Sequence, residues 1–223
     1  MKINNAILAE NEPLQPIEPG VFYEYVVAGN GLFIRAERSQ FSVMVPIASV
    51  KLRGLYDVTS AVELKVERVP GVWLRSVLDS ARRAMPCERM YQFHCNGDLH
   101  MWRCSTPEQS ATPTSVKFKD DGESVIDLHS HNSMPAFFSD TDDGDEQGFR
   151  FYCVIGRIDT ETPQIRCRVG VYGHHMDVPA LDIFDDLGPF TDLYGKEDFT
   201  HPEISIDINV NLDPGEDPVR TCR

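Results

Sequence analysis

Residues 125–143, VIDLHSHNSMPAFFSDTDD, join a short apolar run to two histidines and then to a serine and several aspartates. In an extended chain, successive side chains point to opposite faces. His129 and His131 therefore share one face with Asp127, while Leu128 points to the other. The stretch predicts a strand that carries two imidazoles on one side.

Ser139 and Asp142 follow this pair after seven intervening residues and lie three positions apart. That spacing is typical of the N-cap and N3 residues of a helix, whose side chains face the same side. Two imidazoles at i and i+2 can converge on one ion at about 2.0–2.1 Å. His129, His131 and Asp142 then offer three ligands and leave a fourth position for water, which is the arrangement of catalytic rather than structural zinc. We therefore expect one Zn²⁺ per chain.

Each part of this pattern also has a simpler interpretation. Ser-x-x-Asp is common as a plain helix cap, and a His-x-His pair on a strand is often only exposed to solvent. The run DTDDGDE is typical of a solvated acidic loop, and it does not fit the register of an EF-hand calcium loop. Only the joint spacing of the four residues favours a metal site.

The formal net charge of −14 argues against partners that carry negative charge, both nucleic acids and anionic membrane surfaces. No apolar run approaches the roughly 20 residues of a transmembrane helix. The first residues, MKINNAILAENEP, lack the pattern of a signal peptide. The six cysteines form no C-x-x-C pair, which favours reduced thiols over a zinc–thiolate site. We expect a cytoplasmic protein.

Composition divides the chain into three parts, for which we predict the bounds 1–69, 70–185 and 186–223. The first is a small β-rich unit with an irregular arm at residues 1–20 and a hairpin around the Gly-Asn-Gly sequence at 29–31. The last is an acidic tail with EISIDINVNL as its only candidate strand, and we expect its final residues, DPGEDPVRTCR, to be disordered.

The middle part opens with a helix and continues as strands. VPGVWLRSVLDSARRAMP places apolar residues at helical spacings between Pro70 and Pro86. MYQFHC and LHMWRC predict a hairpin, and SVIDLHSH, FRFYCVIGRI and QIRCRVGVYG predict three further strands. These elements predict an α+β fold in which a mixed β-sheet is flanked by helices.

The joint spacing of the histidines, serine and aspartate resembles the JAMM motif of the MPN/JAB metalloprotease family. Metallo-β-lactamases and amidohydrolase barrels fit this sequence less well. The resemblance implies a cytidine-deaminase-like fold with zinc on His129, His131 and Asp142. It also implies that Glu88 acts as the general base and that Ser139 donates a hydrogen bond to the oxyanion.

Three longer segments resemble the protein A family of the bacterial PRTRC gene clusters. They are GVFYEYVVAGNGLFIRAER, LHSHNSMPAFFSDTDDGDEQGFRFYCVIGRI and RVGVYGH. Such clusters also encode a ubiquitin-like protein and an E1-like ThiF protein. The resemblance therefore implies a zinc-dependent isopeptidase or peptidase that acts on the C-terminal tail of a ubiquitin-like partner, with the ThiF protein as a second partner.

Two other functions stay open on the sequence. A zinc amidase of small-molecule amides would need a closed pocket, whereas a peptide tail needs a groove that is open at both ends. A non-catalytic MPN scaffold would bind the ubiquitin-like partner without cleaving it, although such scaffolds usually lose one or more metal ligands.

A second glutamate lies closer in sequence to the histidines than Glu88 does. Glu123 precedes His129 by six positions. If this stretch is extended, Glu123 lies roughly 20 Å from the metal and cannot reach its water. We therefore expect Glu88 to be the base and Glu123 to have no catalytic role.

Overall fold

The computed structural model describes residues 5–96 and 101–196. Its first five strands are β1 (Asn5–Leu8), β2 (Tyr23–Ala28), β3 (Gly31–Glu37), β4 (Phe41–Ser49) and β5 (Ala61–Leu64). They form one sheet in chain order, and β2 and β3 make the predicted hairpin. The expectation of an irregular arm was wrong for β1, because this segment pairs in parallel with the free edge of β2.

Helix α1 (Val72–Ala84) lies between Pro70 and Pro86, as predicted, and buries Leu74, Val77 and Leu78. Nine strands and two short helices complete the described residues. In chain order these are β6 (Met90–Asn96), β7 (Met101–Ser105), β8 (Gln109–Thr112), β9 (Ser115–Phe118), β10 (Ile126–Ser130), α2 (Asp140–Asp145), β11 (Phe149–Gly156), β12 (Gln164–Val171), β13 (His174–Val178), α3 (Ala180–Ile183) and β14 (Thr191–Asp192).

Seven of these strands form a central sheet. Its order is β13-β12-β11-β10-β6-β7, and β14 pairs with one end of β12. Strand β10 runs parallel to β11 and antiparallel to β6, so the sheet is mixed. Strands β8 and β9 pair only with each other among the described residues, as a separate hairpin. The fold thus consists of mixed sheets with few helices in the part that the structure describes.

The register gives the central sheet two unlike faces. Leu128 lies beside Tyr91 of β6 and Cys153 of β11, and all three belong to the main hydrophobic core. The next residue, His129, lies beside Val154 and points to the opposite face. The apolar face packs against α1, while the polar face carries the charged and histidine side chains.

The N-terminal sheet packs on the same apolar face. The ring centroids of Phe41 and Phe151 lie 4.4 Å apart. The Arg38 guanidinium donates hydrogen bonds of 3.1 and 3.0 Å to the carbonyls of Ser124 and Phe149. Both sheets therefore share one hydrophobic core, while the domain bounds inferred from composition stay a prediction.

Three expectations fall wholly or partly outside the described residues. The candidate strand at EISIDINVNL and the final residues DPGEDPVRTCR lie in residues 197–223, and the turn of the predicted hairpin after β6 lies mostly in residues 97–100. Residues 186–196 of the predicted tail are described, and the expectation that EISIDINVNL is its only strand was wrong, because they include β14. Among residues 5–96 and 101–196, no helix is long and apolar enough to cross a membrane. The cysteines in these ranges carry free thiols.

Gly156, at the end of β11, allows the loop that follows the histidines to lie directly on the sheet. A Cβ atom on this residue would overlap backbone atoms of residues 134–136. We expect Gly156→Ala to lower the free energy of unfolding by about 1–3 kcal/mol or more, because backbone cannot move aside without local distortion. Chemical denaturation measures this change. Gly144→Ala is the control, since its Cβ would meet open space, and an equal loss in both variants would contradict the explanation.

Candidate metal centre

The two histidines lie on the polar face at the end of β10. Both are only 5% exposed, and their Nε2 atoms lie 3.0 Å apart. The Nδ1–H of His131 donates to the carbonyl of Pro135 at 3.2 Å, so Nε2 of that ring carries the lone pair. The backbone amide of His131 donates to Ile155 and fixes the chain just beyond the strand.

Asp142 reaches the histidines from α2. Ser139 is the N-cap of this helix, and the two residues form the predicted capping box. The amide and hydroxyl groups of Ser139 donate to Oδ2 of Asp142 at 2.7 and 2.6 Å. The other oxygen, Oδ1, lies 3.6 Å from Nε2 of His129. The cap thus holds one carboxylate oxygen and leaves the other facing the imidazoles.

These distances fit a single zinc ion. Two atoms that each bind a tetrahedral ion at about 2.0–2.1 Å lie about 3.3 Å from each other. The observed separations of 3.0 and 3.6 Å bracket that value, and all ligand atoms of the three residues lie within 4.8 Å of one another. His129, His131 and Asp142 are therefore able to hold one metal ion as three protein ligands.

The protonation states of the three ligands also fit a metal. Burial lowers the pKa of His129 to about 4, and burial lowers the pKa of His131 as well. Burial alone would raise the pKa of Asp142, but His129 and the hydrogen bonds from Ser139 hold that pKa below its usual value. Near neutral pH the site therefore presents two neutral imidazoles and a carboxylate, which are the forms that bind zinc.

Glu88 lies between α1 and β6, and it is 3% exposed. Its backbone amide donates to the carbonyl of Thr112 at 2.9 Å, which ties it to the β8–β9 hairpin. Asn132, directly after the histidine pair, donates to the carbonyl of Pro86 at 2.7 Å. Burial, followed by the negative charge of Asp142, raises the pKa of Glu88 to about 7.

One cavity of about 410 Å³ contains all of the predicted site residues. The β8–β9 hairpin bounds it on one side, and α2 with the residues after it bounds it on another. The predicted residues in its wall are Glu88, His129, His131, Ser139 and Asp142. Glu123 instead lines a separate cavity beside Arg38 and His94.

Sequence reasoning missed the charged residues that surround this site. Arg150 donates to Asp127 at 2.7 Å and to both carboxylate oxygens of Asp120 at 3.0 Å. Arg168 likewise donates to Asp143 of α2 and to Glu146, which follows the helix. The sequence pattern that could have identified Arg168 is QIRCRVGV, in which strand alternation places Arg166 and Arg168 on the face opposite the buried apolar residues.

We expect the protein purified without chelator to hold about one zinc per chain and His131→Ala to lose it, because two ligands bind zinc far more weakly than three. Metal content is measured by elemental analysis, and folding by circular dichroism. His94→Ala is the matched control, since His94 is as buried but pairs with Asp121. Full zinc retention in His131→Ala would contradict the assignment of the site.

Residues 71–168 match the family model for prokaryotic homologs of the JAB domain. A comparison with curated proteins gave no match. The matched span contains Glu88 and all three candidate ligands, and it begins at the start of α1 and ends within β12. Over this span, the chain is similar to the prokaryotic homologs of the JAB domain.

Proposed function

We propose that the JAB domain is a JAMM-type zinc peptidase that cleaves an amide bond at the C-terminal tail of a ubiquitin-like protein in the cytoplasm. The observation that carries the proposal is the convergence of two neutral imidazoles and a carboxylate in the cavity that also receives Glu88. The proposal includes a cytidine-deaminase-like MPN/JAB arrangement for the central sheet and its helices.

The reaction divides between the metal and the side chains around it. Bound Zn²⁺ would lower the pKa of a water molecule and polarise the scissile carbonyl. Glu88 accepts the proton of the attacking water and later delivers it to the leaving amine. A carboxyl whose pKa is about 7 suits both steps, because general acid–base groups work best near the operating pH.

Ser139 supplies the hydrogen bond to the oxyanion of the substrate. Its hydroxyl donates to Asp142 in the structure described above, so it must rotate to reach the substrate. The backbone amide of Ser139 also donates to Oδ2 and keeps Asp142 in place during that rotation. A single such donor to the oxyanion contributes about 3–4 kcal/mol in other enzymes.

The substrate class rests on the resemblance to the PRTRC protein A family. A ubiquitin-like protein from the same gene cluster is the proposed substrate, and the E1-like ThiF protein is a proposed second partner. The net charge of −14 favours a partner with a basic face and association that slows as salt rises.

A second candidate is a zinc amidase that acts on a small-molecule amide. The cavity favours it, because about 410 Å³ falls within the range of about 300–1,000 Å³ typical of small-molecule sites. A non-catalytic scaffold is less well supported, since the candidate ligands and Glu88 meet in one cavity.

We expect Glu88→Gln to retain zinc and stability but to lose cleavage by about a hundredfold or more, because the amide cannot take a proton from water. Glu123→Gln is the matched control and should retain nearly full activity, since Glu123 lines another cavity. Initial cleavage rates and metal content are measured for both variants. A large loss of cleavage activity in Glu123→Gln, with little loss in Glu88→Gln, would contradict the assignment of Glu88 as the general base.

We expect the zinc-loaded protein to cleave a C-terminally extended ubiquitin-like protein from the same gene cluster, and to do so faster at low salt than at physiological salt. Cleavage is followed by mass spectrometry, with the His131→Ala variant as the inactive control. Small amide substrates form a second arm. Cleavage in that arm alone would favour the amidase, and binding without cleavage would favour the scaffold.

A further inference from the structure

Helix α2 carries Asp142 but has little to stabilise it. It is six residues long, with the sequence DTDDGD, and none of its side chains, all of which the structure describes, is buried. Helices this short are marginal on their own, and Gly144 weakens this one further. The capping box fixes Asp142 relative to Ser139, but it does not fix the helix relative to the histidines of the sheet.

Arg168 connects the helix to the sheet, beside the contact of the His175 ring with the carbonyl of Glu146 at 3.1 Å. It lies in β12, between Tyr152 of β11 and Asp177 of β13, and its side chain is only 6% exposed. Its Nε and Nη2 groups donate to one carboxylate oxygen of Glu146 at 2.8 and 2.5 Å. Its Nη1 group donates to Asp143 at 2.5 Å.

The same guanidinium also contacts the chain before the helix. Its central carbon lies 3.8 Å from the ring centroid of Phe138, the residue that precedes Ser139. Arg168 therefore touches the segment on both sides of Ser139 and Asp142. Glu146 is held in turn by its own amide, which donates to the carbonyl of Asp142 at 2.8 Å.

We infer that Arg168 is a positioning residue for the metal ligand Asp142, and that it acts by holding both flanks of α2 against the sheet. The inference rests on the proposed zinc centre but not on the proposed substrate. Arginine suits this role because its planar fork donates to two carboxylates at once, whereas a lysine ammonium acts as a point charge. Its positive charge also offsets the negative charge of Asp143, which adjoins Asp142 in the chain.

The test compares zinc affinity in Arg168→Met with that in Arg35→Met. Arg35 is the matched control, because its Nε and Nη2 groups donate to one oxygen of Glu24 in the same manner and its side chain is 10% exposed, but it lies in the N-terminal sheet. Residues that orient a metal ligand typically change affinity by about 10- to 100-fold. We expect a rise of that size in the zinc Kd of Arg168→Met and no change in Arg35→Met.

Zinc Kd is measured by competition with a chromophoric chelator, and the stability of each metal-free variant is measured separately by denaturation. The visible spectrum of the Co²⁺-substituted protein gives a second readout, which we expect to change in Arg168→Met alone. Arg168→Lys should recover only part of the affinity. Glu146→Leu removes the carboxylate that accepts two hydrogen bonds from Arg168 and should also weaken zinc binding, which keeps the test decisive if Arg168→Met does not fold.

The outcomes separate the two proposals. Failure of the unmodified protein to bind zinc would remove the proposed metal centre itself. If the unmodified protein binds zinc and Arg168→Met or Glu146→Leu binds it with the same Kd, only the role of Arg168 is overturned. If Arg168→Lys binds zinc as tightly as the unmodified protein, the role of Arg168 is overturned as well. A positive charge without the planar guanidinium would then be sufficient.

Discussion

The burial of β10 between β6 and β11 is the constraint on which the rest of the structure depends. Leu128 and its neighbours pack into the hydrophobic core, and this packing forces His129 to the opposite face. A shift of one residue would place the imidazole in the core and the leucine in the cavity, so the register is strongly specified. Burial of the apolar side chains thus decides which face of the sheet carries the candidate metal-binding histidines.

The polar face of the sheet is organised by charge rather than by apolar contact. Arg150 and Arg168 are buried, and each donates to two carboxylates from another segment of the chain: Arg150 to Asp120 and Asp127, and Arg168 to Asp143 and Glu146. Buried ion pairs contribute little net stability when they are complete, but losing one partner costs about 3–5 kcal/mol. Their value here is geometric, because they hold α2 and the segment before β10 in fixed positions beside the cavity.

Local patterns predicted the elements whose signal lies within a few neighbouring residues. These are α1, the hairpin of β2 and β3, the strand that ends in the histidines, and the capping box of Ser139 and Asp142. The hairpin of β8 and β9 was missed, because QSATPTSVKF has no strong apolar alternation. It is held instead by contacts from elsewhere, such as the Gln109 amide, which accepts from and donates to the backbone of Met90.

The sequence by itself determined which residues can bind a metal, since the spacing of His129, His131 and Asp142 depends only on strand alternation and a helix cap. Only the tertiary structure decided what surrounds them. Glu88 lies 41 positions before His129, and Arg168 comes from a different strand, so no local preference brings either side chain to the site. Strand alternation indicates the face on which Arg168 lies, but the neighbours of both side chains follow from how α1, β6 and β12 pack and pair around the central strand.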